Sequence, residues 1–320
     1  MERMKDNIVE LCKMTELGLH NFLSEFVKNN YERYTITDQY IIAEGKVPVC
    51  LVAHMDTVFN IPPEDFFYDP KESVLWSPDG LGTDDRAGVY AILEIVLRYK
   101  LKPHIIFTMG EEKGGIGAHS LVTDFPECPF AELNFIIELD RQGHNDCVFY
   151  SCDNNAFTKF IKKFGFAYET GTFTDISVIA PKWKAAAVNL SVGYYNEHTY
   201  TELLCVKSLA RTIHKVVKIL KTENLQSYDY VPRKETSYGK YVKWWSSTRC
   251  AACNKYLGNT GGVKVNDVLL TEDDFRLCRK CYEDFYGPQD IDIPMGDEPN
   301  NLEIEELSTI EWTPSKSLLV

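Results

Sequence analysis

The fold is decided by residues 47–58, which read VPVCLVAHMDTV. The apolar residues of this stretch occupy consecutive positions, which is typical of a strand that is covered on both of its faces. The stretch ends near two polar residues, His54 and Asp56. Two later segments have the same form, PHIIFTMGEE at 103–112 and LNFIIELD at 133–140. We therefore expect three buried strands of one sheet, each ending beside charged side chains.

Outward from these strands, short apolar runs alternate with amphipathic stretches. The predicted strands are 39–43, 48–54, 104–109, 133–139, 147–151 and 185–192. The predicted helices are a region over 5–30 and the segments 86–99, 116–122, 156–164 and 203–220. Strands that alternate with helices form a sheet with helices packed on both faces. The predicted fold class is therefore α/β, with a mixed β-sheet sandwiched by helices.

Composition and charge restrict the possible functions. The chain has 320 residues, of which 44% are hydrophobic and 25% charged, as in an ordinary globular protein. Its net charge of −13 argues against binding to nucleic acid or to an anionic membrane surface. No stretch reaches the roughly 18 apolar residues that a membrane helix needs, and charges interrupt residues 1–14, where a signal peptide would be apolar. We expect a cytoplasmic protein without a membrane segment.

Acidic and histidine side chains cluster where the predicted strands end. These residues are His54, Asp56, Asp84, Asp85, Glu111, Glu112, Asp140 and His198. In an open α/β sheet, residues just beyond the carboxyl ends of the strands converge on one crevice. Two histidines and several carboxylates suit zinc, with manganese or cobalt as substitutes. Two ions that share one carboxylate also fit the number of ligands.

Each of these motifs has an ordinary structural interpretation as well. The HMD motif at 54–56 is typical of a capped turn, the DD pair at 84–85 of a helix start, and the EE pair at 111–112 of solvated surface. However, the EE pair and Asp140 lie at the ends of apolar strands, where an unpaired charge would be costly. Five such motifs in this order favour one shared metal site over five unrelated structural features.

The order HMDTV, GTDDRAG, EE, ELD and EHT resembles the cocatalytic dizinc exopeptidase superfamily. This superfamily includes peptidase T, glutamate carboxypeptidase, acylases and the bacterial dizinc aminopeptidases. The resemblance implies that His54 and Asp140 hold one zinc ion. It also implies that Glu112 and His198 hold the other and that Asp84 bridges both.

The same resemblance assigns roles to the residues beside these ligands. Asp56 would orient His54 through its second ring nitrogen, which is the usual task of a carboxylate beside a metal-bound histidine. Glu111 would be the general base that handles the proton of the attacking water. The peptide bond between Asp84 and Asp85 is cis in the superfamily, so we expect a cis bond here.

The spacing of the ligands narrows the choice within this superfamily. The gaps from His54 to Asp84 and from Asp140 to His198 are too short to contain an inserted lid domain. Because the lid commonly holds the terminal carboxylate of the substrate in carboxypeptidases, its absence favours an aminopeptidase acting on short peptides. Two alternatives stay open: an amidase or deacylase acting on a small N-acyl compound, and an inactive adaptor. The presence of Glu111 argues against the adaptor.

We divide the chain into four parts. Residues 1–222, which the resemblance covers, form a dizinc peptidase catalytic domain, and residues 223–240 form a polar linker. Residues 241–287 form a small zinc ribbon, and residues 288–320 form an acidic tail that we expect to be flexible. The ribbon is predicted from two C-x2-C pairs, Cys250, Cys253, Cys278 and Cys281.

Four thiolates in two such pairs fit a structural zinc site, and a module this small needs a metal because it buries little core. The ribbon has nearly balanced charge, which argues against nucleic acid. Besides a small peptide or amide substrate, we expect a possible protein partner that binds through the ribbon or the acidic tail. The six other cysteines show no pairing pattern and indicate reduced thiols.

Overall fold

The computed structural model describes residues 2–233 and two short strands farther along the chain, Val263–Val265 and Phe275–Leu277. These two strands pair antiparallel, with Val263 opposite Leu277. The acidic tail at 288–320 lies outside the described residues, as do the predicted zinc ligands Cys250, Cys253, Cys278 and Cys281. Within the described residues, no helix combines the length and the apolar character that crossing a bilayer requires.

Residues 2–233 contain one large β-sheet and one small one. Their strands are β1 (Arg33–Ile36), β2 (Tyr40–Glu44), β3 (Val47–His54), β4 (Phe67–Asp69), β5 (Val74–Trp76), β6 (Pro103–Thr108), β7 (Phe135–Arg141), β8 (Asp146–Val148), β9 (Ala167–Tyr168), β10 (Ala187–Ser191), β11 (Tyr194–Tyr195) and β12 (Leu203–Cys205). The large sheet has the order β1-β2-β6-β3-β7-β10-β8-β9. Strands β6, β3, β7 and β10 run parallel, whereas β2 and β8 pair antiparallel with their inner neighbours. The prediction of a mixed sheet is confirmed.

Helices cover both faces of the large sheet. They are α1 (Glu2–Cys12), α2 (Glu16–Asn30), α3 (Thr83–Leu97), α4 (Ile116–Asp124), α5 (Asn155–Lys162), α6 (Ile176–Trp183) and α7 (Val206–Leu220). Alternate residues of β3 enter separate cores, with Leu51 and Ala53 on one face and Cys50 and Val52 on the other. Helices α4 and α6 contribute to the second core and the other helices to the first. The expectation that β3 is covered on both faces is confirmed.

The small sheet is the main element that the sequence patterns did not predict. It has the order β11-β12-β5-β4, and each strand is only two or three residues long, which is too short to show a clear alternation. Residues 203–205 form β12, where we expected the start of a helix. Leu204 is buried between the less buried Leu203 and Cys205, which is the period of a strand, and α7 begins only at Val206.

Two other boundaries differ from the prediction for local reasons. The helical region near the N-terminus is two helices, because the Thr15 hydroxyl caps the second one by accepting a hydrogen bond from Gly18 N at 3.1 Å. The strand expected over 147–151 ends at Val148. Tyr150 has a φ of 47°, which is outside the range of a strand.

Residues 225–233 belong to the stretch that we assigned to a linker, and they pack against the large sheet. Tyr228 N donates to Asn134 O, and Ala186 N donates to Tyr228 O, each at 2.8 Å. The ring of Tyr228 lies 5.2 to 6.0 Å from the ring centroids of three core residues, Phe135, Phe157 and Phe160. This segment therefore closes the amino ends of β7 and β10.

Candidate metal centre

Three neighbouring parallel strands carry predicted site residues at their carboxyl ends. His54 is the last residue of β3, Glu111 and Glu112 follow β6, and Asp140 lies near the end of β7. Because β6, β3 and β7 are adjacent and parallel, their carboxyl ends meet at one edge of the sheet. Gly110 makes the turn after β6 with a φ of 77°, a conformation that favours glycine.

The remaining two predicted ligands come from outside the large sheet. Asp84 lies at the start of α3, where the backbone is not helical, with φ −84° and ψ 99°. The peptide bond between Asp84 and Asp85 is cis, as the resemblance implies. His198 lies in the loop between β11 and β12. The small sheet therefore contributes one of the predicted ligands, through the loop that joins two of its strands.

Asp84 lies between the two histidines. Its Oδ1 is 3.1 Å from His54 Nε2, and its Oδ2 is 3.1 Å from His198 Nε2. Asp140 Oδ1 lies 3.6 Å from His54 Nε2, and Glu112 Oε1 lies 2.9 Å from His198 Nε2. The structure thus brings the five predicted ligands together, in two groups that share one carboxylate.

Three sets of side chains each have ligand atoms within 4.8 Å of one another, and one set contains Asp85, which we did not expect to be a ligand. The sets are Asp84, Glu112 and His198; His54, Glu111 and Glu112; and His54, Asp85 and Asp140. Both oxygens of Asp85 already accept backbone hydrogen bonds, Oδ2 from His54 N at 3.2 Å and Oδ1 from Gly88 N at 2.9 Å. Asp85 therefore serves as the helix cap that is the ordinary interpretation of a DD pair.

Gly88 allows α3 to lie close against β7. A Cβ added at this position would be 2.0 Å from Leu139 O, far inside van der Waals contact. Asp84 lies four residues before Gly88, and Asp140 lies directly after Leu139. The contact therefore helps to fix the distance between the two carboxylates.

Asp56 connects His54 to the turn that carries the glutamates. His54 Nδ1 lies 3.1 Å from Asp56 O and 3.3 Å from Asp56 Oδ1. The carboxylate of Asp56 also accepts hydrogen bonds from the backbone N–H groups of residues 110–112. Burial opposes its ionisation, but the hydrogen bond and charge of His54 together with the backbone N–H groups of Gly110 and Glu111 outweigh this and lower the pKa of Asp56 to about 2. Because His54 Nδ1 faces only acceptors it carries a proton, and Nε2 faces Asp84.

Asp140 is held by residues that sequence reasoning missed. Its Oδ1 accepts a hydrogen bond from Tyr194 OH at 3.0 Å, and its Oδ2 accepts one from Thr174 Oγ1 at 3.1 Å. The backbone N–H of Asp140 donates to Asn189 Oδ1 at 2.9 Å. These three partners lie 34 to 54 positions away along the chain, and no local pattern marks them.

The cluster carries more negative charge than its two histidines balance. Burial raises the pKa of Glu111 to about 9, and the charge of Asp140 adds to this effect. Burial also raises the pKa of Glu112 to about 7 and that of Asp140 to about 6. Burial opposes the ionisation of Asp84 too, but hydrogen bonds with the two histidines hold its pKa well below the ordinary value. Crowded carboxylates of this kind favour the binding of cations.

The donor atoms fit divalent cations. Glu112 Oε1 is buried and accepts no hydrogen bond from the part of the chain that the structure describes, although His198 Nε2 lies 2.9 Å away. A divalent cation bound in place of the ring protons would join the imidazole nitrogens to the oxygens of Asp84 and Glu112. Imidazole nitrogens with carboxylate oxygens are a ligand set that zinc, manganese and cobalt accept.

A family model matches the part of the chain that carries most of this site. The model described as peptidase family M28 matches residues 41–177. This range contains all of the predicted site residues in the cluster except His198. A comparison with curated proteins finds no match.

Solved structures of peptidases share the fold. Aminopeptidase PepT from Bacillus cereus is 17% identical, with a TM-score of 0.56, and the match covers 68% of this chain and 97% of that one. A tripeptidase from Staphylococcus aureus is 16% identical, with a TM-score of 0.55 and coverage of 69% and 97%. A TET aminopeptidase from a marine sediment Thaumarchaeota archaeon is 12% identical, with a TM-score of 0.53 and coverage of 70% and 98%. The chain thus shares the fold of these peptidases, and its residues 41–177 match peptidase family M28.

Proposed function

We propose that the chain is a dinuclear metallopeptidase that removes the N-terminal residue from short peptides. The observation that carries the proposal is the position of Asp84 between two pairs of side chains, His54 with Asp140 and Glu112 with His198. One oxygen of Asp84 faces each histidine, which is the arrangement that a carboxylate shared by two cations requires. The match to peptidase family M28 supports the same function.

Each metal position has its own set of proposed ligands. His54, Asp140 and one oxygen of Asp84 would hold one zinc ion, and Glu112, His198 and the other oxygen of Asp84 would hold the second. Manganese or cobalt suits the same donors. Two such cations supply Lewis acidity, which polarises a peptide carbonyl and makes water a stronger acid.

Glu111 is the residue proposed to move protons. It directly precedes Glu112, and its backbone N–H donates to Asp56 Oδ1 at 3.2 Å, so the turn that carries it is fixed. One of its carboxylate oxygens lies within 4.8 Å of ligand atoms of His54 and Glu112. In the proposed reaction this carboxylate takes a proton from the attacking water and gives it to the leaving amine.

The choice of an aminopeptidase rests on the absence of an inserted domain. In residues 2–233, the segment between β3 and α3 contains only the short strands β4 and β5. The segment between β7 and β11 contains two helices and three strands that belong to the large sheet or cover it. The similar solved structures include an aminopeptidase and a tripeptidase, which supports short peptides as the substrate.

A substrate panel tests the proposal. Aminoacyl-arylamides, dipeptides, tripeptides and N-acyl amino acids are incubated with the full chain and added zinc, manganese or cobalt. We expect release of the N-terminal residue from the unblocked substrates and loss of this activity with a chelator. Hydrolysis of N-acyl amino acids alone would instead identify a deacylase, and two bound metals without any hydrolysis would support the adaptor.

We also propose one structural zinc ion bound by the paired cysteines, Cys250, Cys253, Cys278 and Cys281. Their spacing supports this proposal. Metal analysis of the full chain should then find about three ions, two removed by mild chelation and one retained. A chain with all four cysteines replaced by serine should contain two ions; three ions in that variant would contradict the proposed ribbon site.

A further inference from the structure

Glu202 lies at the end of the loop that carries His198, directly before β12. Its side chain is buried, with the residue only 1% exposed. One oxygen, Oε1, accepts three hydrogen bonds from the start of α3: from Thr83 N at 2.5 Å, from Thr83 Oγ1 at 2.7 Å and from Asp84 N at 3.3 Å. A single carboxylate therefore joins the loop of His198 to the backbone of Asp84.

The backbone N–H groups of Thr83 and Asp84 precede the Asp85 cap and need an acceptor other than Asp85, because the two oxygens of Asp85 accept from Gly88 N and His54 N. The first N–H groups of a helix have no partner within the helix, and a side chain at the N-cap position usually accepts one of them. The N-cap of α3 is Gly82, which has no side chain for this purpose. Glu202, more than a hundred residues later in the chain, takes this role for Thr83 and Asp84.

This link matters for the position of His198. The side chain of His198 is 50% exposed, and its ring contacts Asp84 and Glu112. The loop that carries it is anchored at its far end where Leu203 pairs with Trp76 in the small sheet. Glu202 is adjacent to this anchor and accepts a hydrogen bond from Asp84 N, so it connects the loop to the residue whose carboxylate faces His198.

We propose that Glu202 is a positioning residue for the metal held by Asp84, Glu112 and His198. It fixes the distance between Asp84 and His198 by accepting hydrogen bonds through Oε1. Its other oxygen, Oε2, is buried and has no hydrogen-bond partner among the described residues. The proposed role of Glu202 therefore depends on the hydrogen bonds that Oε1 accepts and requires no contact with metal or substrate. This inference rests on the proposed dinuclear site.

Manganese binding to the full chain tests the inference without measuring activity. Mn²⁺ prefers oxygen and nitrogen ligands to thiolates, so the predicted cysteine site contributes little to the titration. Outer residues that orient metal ligands typically change metal affinity by about 10–100-fold when they are replaced. We expect Glu202→Ala to weaken one of the two Mn²⁺ equivalents by about this factor. Glu202→Gln keeps an acceptor oxygen and should bind both equivalents within a few-fold of the wild type.

Two further variants separate positioning from general stability. Glu94→Ala removes a second largely buried glutamate, which lies in α3 and binds Tyr90 and Arg98. This variant should leave both Mn²⁺ affinities unchanged. Thr83→Val removes only one of the three donors and should weaken one equivalent by a smaller factor than Glu202→Ala. Thr83→Val also keeps the test decisive if Glu202→Ala does not fold.

The outcomes distinguish this inference from the proposed function. If the wild-type chain does not bind two Mn²⁺ ions, the dinuclear site is wrong. If the wild type binds two ions and both Glu202→Ala and Thr83→Val bind them equally well, Glu202 is not a positioning residue. Equal losses in Glu202→Ala and Glu202→Gln would also overturn the inference, since glutamine retains the accepting oxygen.

Discussion

The two halves of the proposed metal site are held in different ways. In the deep half, the side chains of His54 and Asp140 are 1% and 8% exposed, and both are anchored by groups from several elements of the fold. In the outer half, the side chain of His198 is 50% exposed and lies on a loop. The deep position is therefore built into the sheet, whereas the outer position depends on how the loop is held.

This difference has a thermodynamic consequence. Ligands that are already fixed lose little conformational freedom when a metal binds, whereas an exposed side chain on a loop must be ordered. We expect the deep ion to bind more tightly and the outer ion to exchange more readily.

The largest expected effect is on the chemistry between the two halves. Glu111→Gln removes the proposed proton carrier without removing a ligand, so turnover should fall by roughly 10²–10⁴-fold while both metal equivalents remain. Turnover is measured with a dipeptide, and metal content on the same sample. If Glu111→Gln loses a metal instead, Glu111 and Glu112 have the opposite roles. Asn60→Gln, a conservative change at an exposed residue, serves as the control and should retain turnover.

Changes to the ligands should show which half each belongs to. Asp84→Ala should weaken both equivalents, because its two oxygens face both histidines. His198→Ala should weaken the binding of only one Mn²⁺ equivalent. Because His198 is itself a proposed ligand, the loss of affinity should exceed the roughly 100-fold loss that follows when a residue that only orients a ligand is replaced. Isothermal titration with Mn²⁺ measures both. Equal loss of the two equivalents in His198→Ala would remove the distinction between the halves.

Asp56→Asn should have an intermediate effect on the deep half. The amide keeps an oxygen for the N–H groups of residues 110–112, but it loses the negative charge beside His54 Nδ1. Affinity for the tighter Mn²⁺ equivalent should fall by about 10–100-fold, and that for the weaker one by less. If Asp56→Asn instead lowers the affinity for the weaker Mn²⁺ equivalent by the larger factor, Asp56 acts mainly by holding the turn at residues 110–112.

The smallest effect on the site is expected from a substitution in residues 225–233, which lie at the amino ends of β7 and β10, whereas the site lies at the carboxyl ends of the strands. Tyr228→Ala removes a half-buried ring that packs on three phenylalanines, which should lower the free energy of unfolding by about 1–3 kcal/mol. Both Mn²⁺ affinities should stay unchanged. Urea unfolding and the metal titration are carried out on the same protein. Tyr34→Ala, an exposed tyrosine of β1, should change the stability much less.

The central sheet could be predicted because its strands have a strong signal. Strands β3, β6 and β7 are apolar on consecutive positions and end beside charged residues, so their assignment did not depend on distant contacts. The small sheet gave no such signal, because two or three residues cannot display a period. Tyr228 was assigned to a linker since its neighbours are polar, although its own ring packs in the core.

The same contrast applies to the site. The motifs that carry His54, Asp84 and Asp140 are local, and the sequence predicts that they converge. The groups that hold them are not local: Tyr194 binds Asp140 across 54 positions, and Glu202 binds Thr83 across 119. The only sequence signal for Glu202 is that it follows His198 by four residues, and this spacing alone does not indicate a partner.

The close approach at Gly88 has a consequence for engineering the site. Any side chain there would meet Leu139 O, so α3 or β7 would have to move apart. The start of α3 carries Asp84, and the next residue of β7 is Asp140. A methyl group at position 88 would thus push the backbones that carry Asp84 and Asp140 apart. We expect Gly88→Ala to change how the proposed site discriminates among cations of different radius, although residue 88 is not one of the proposed ligands.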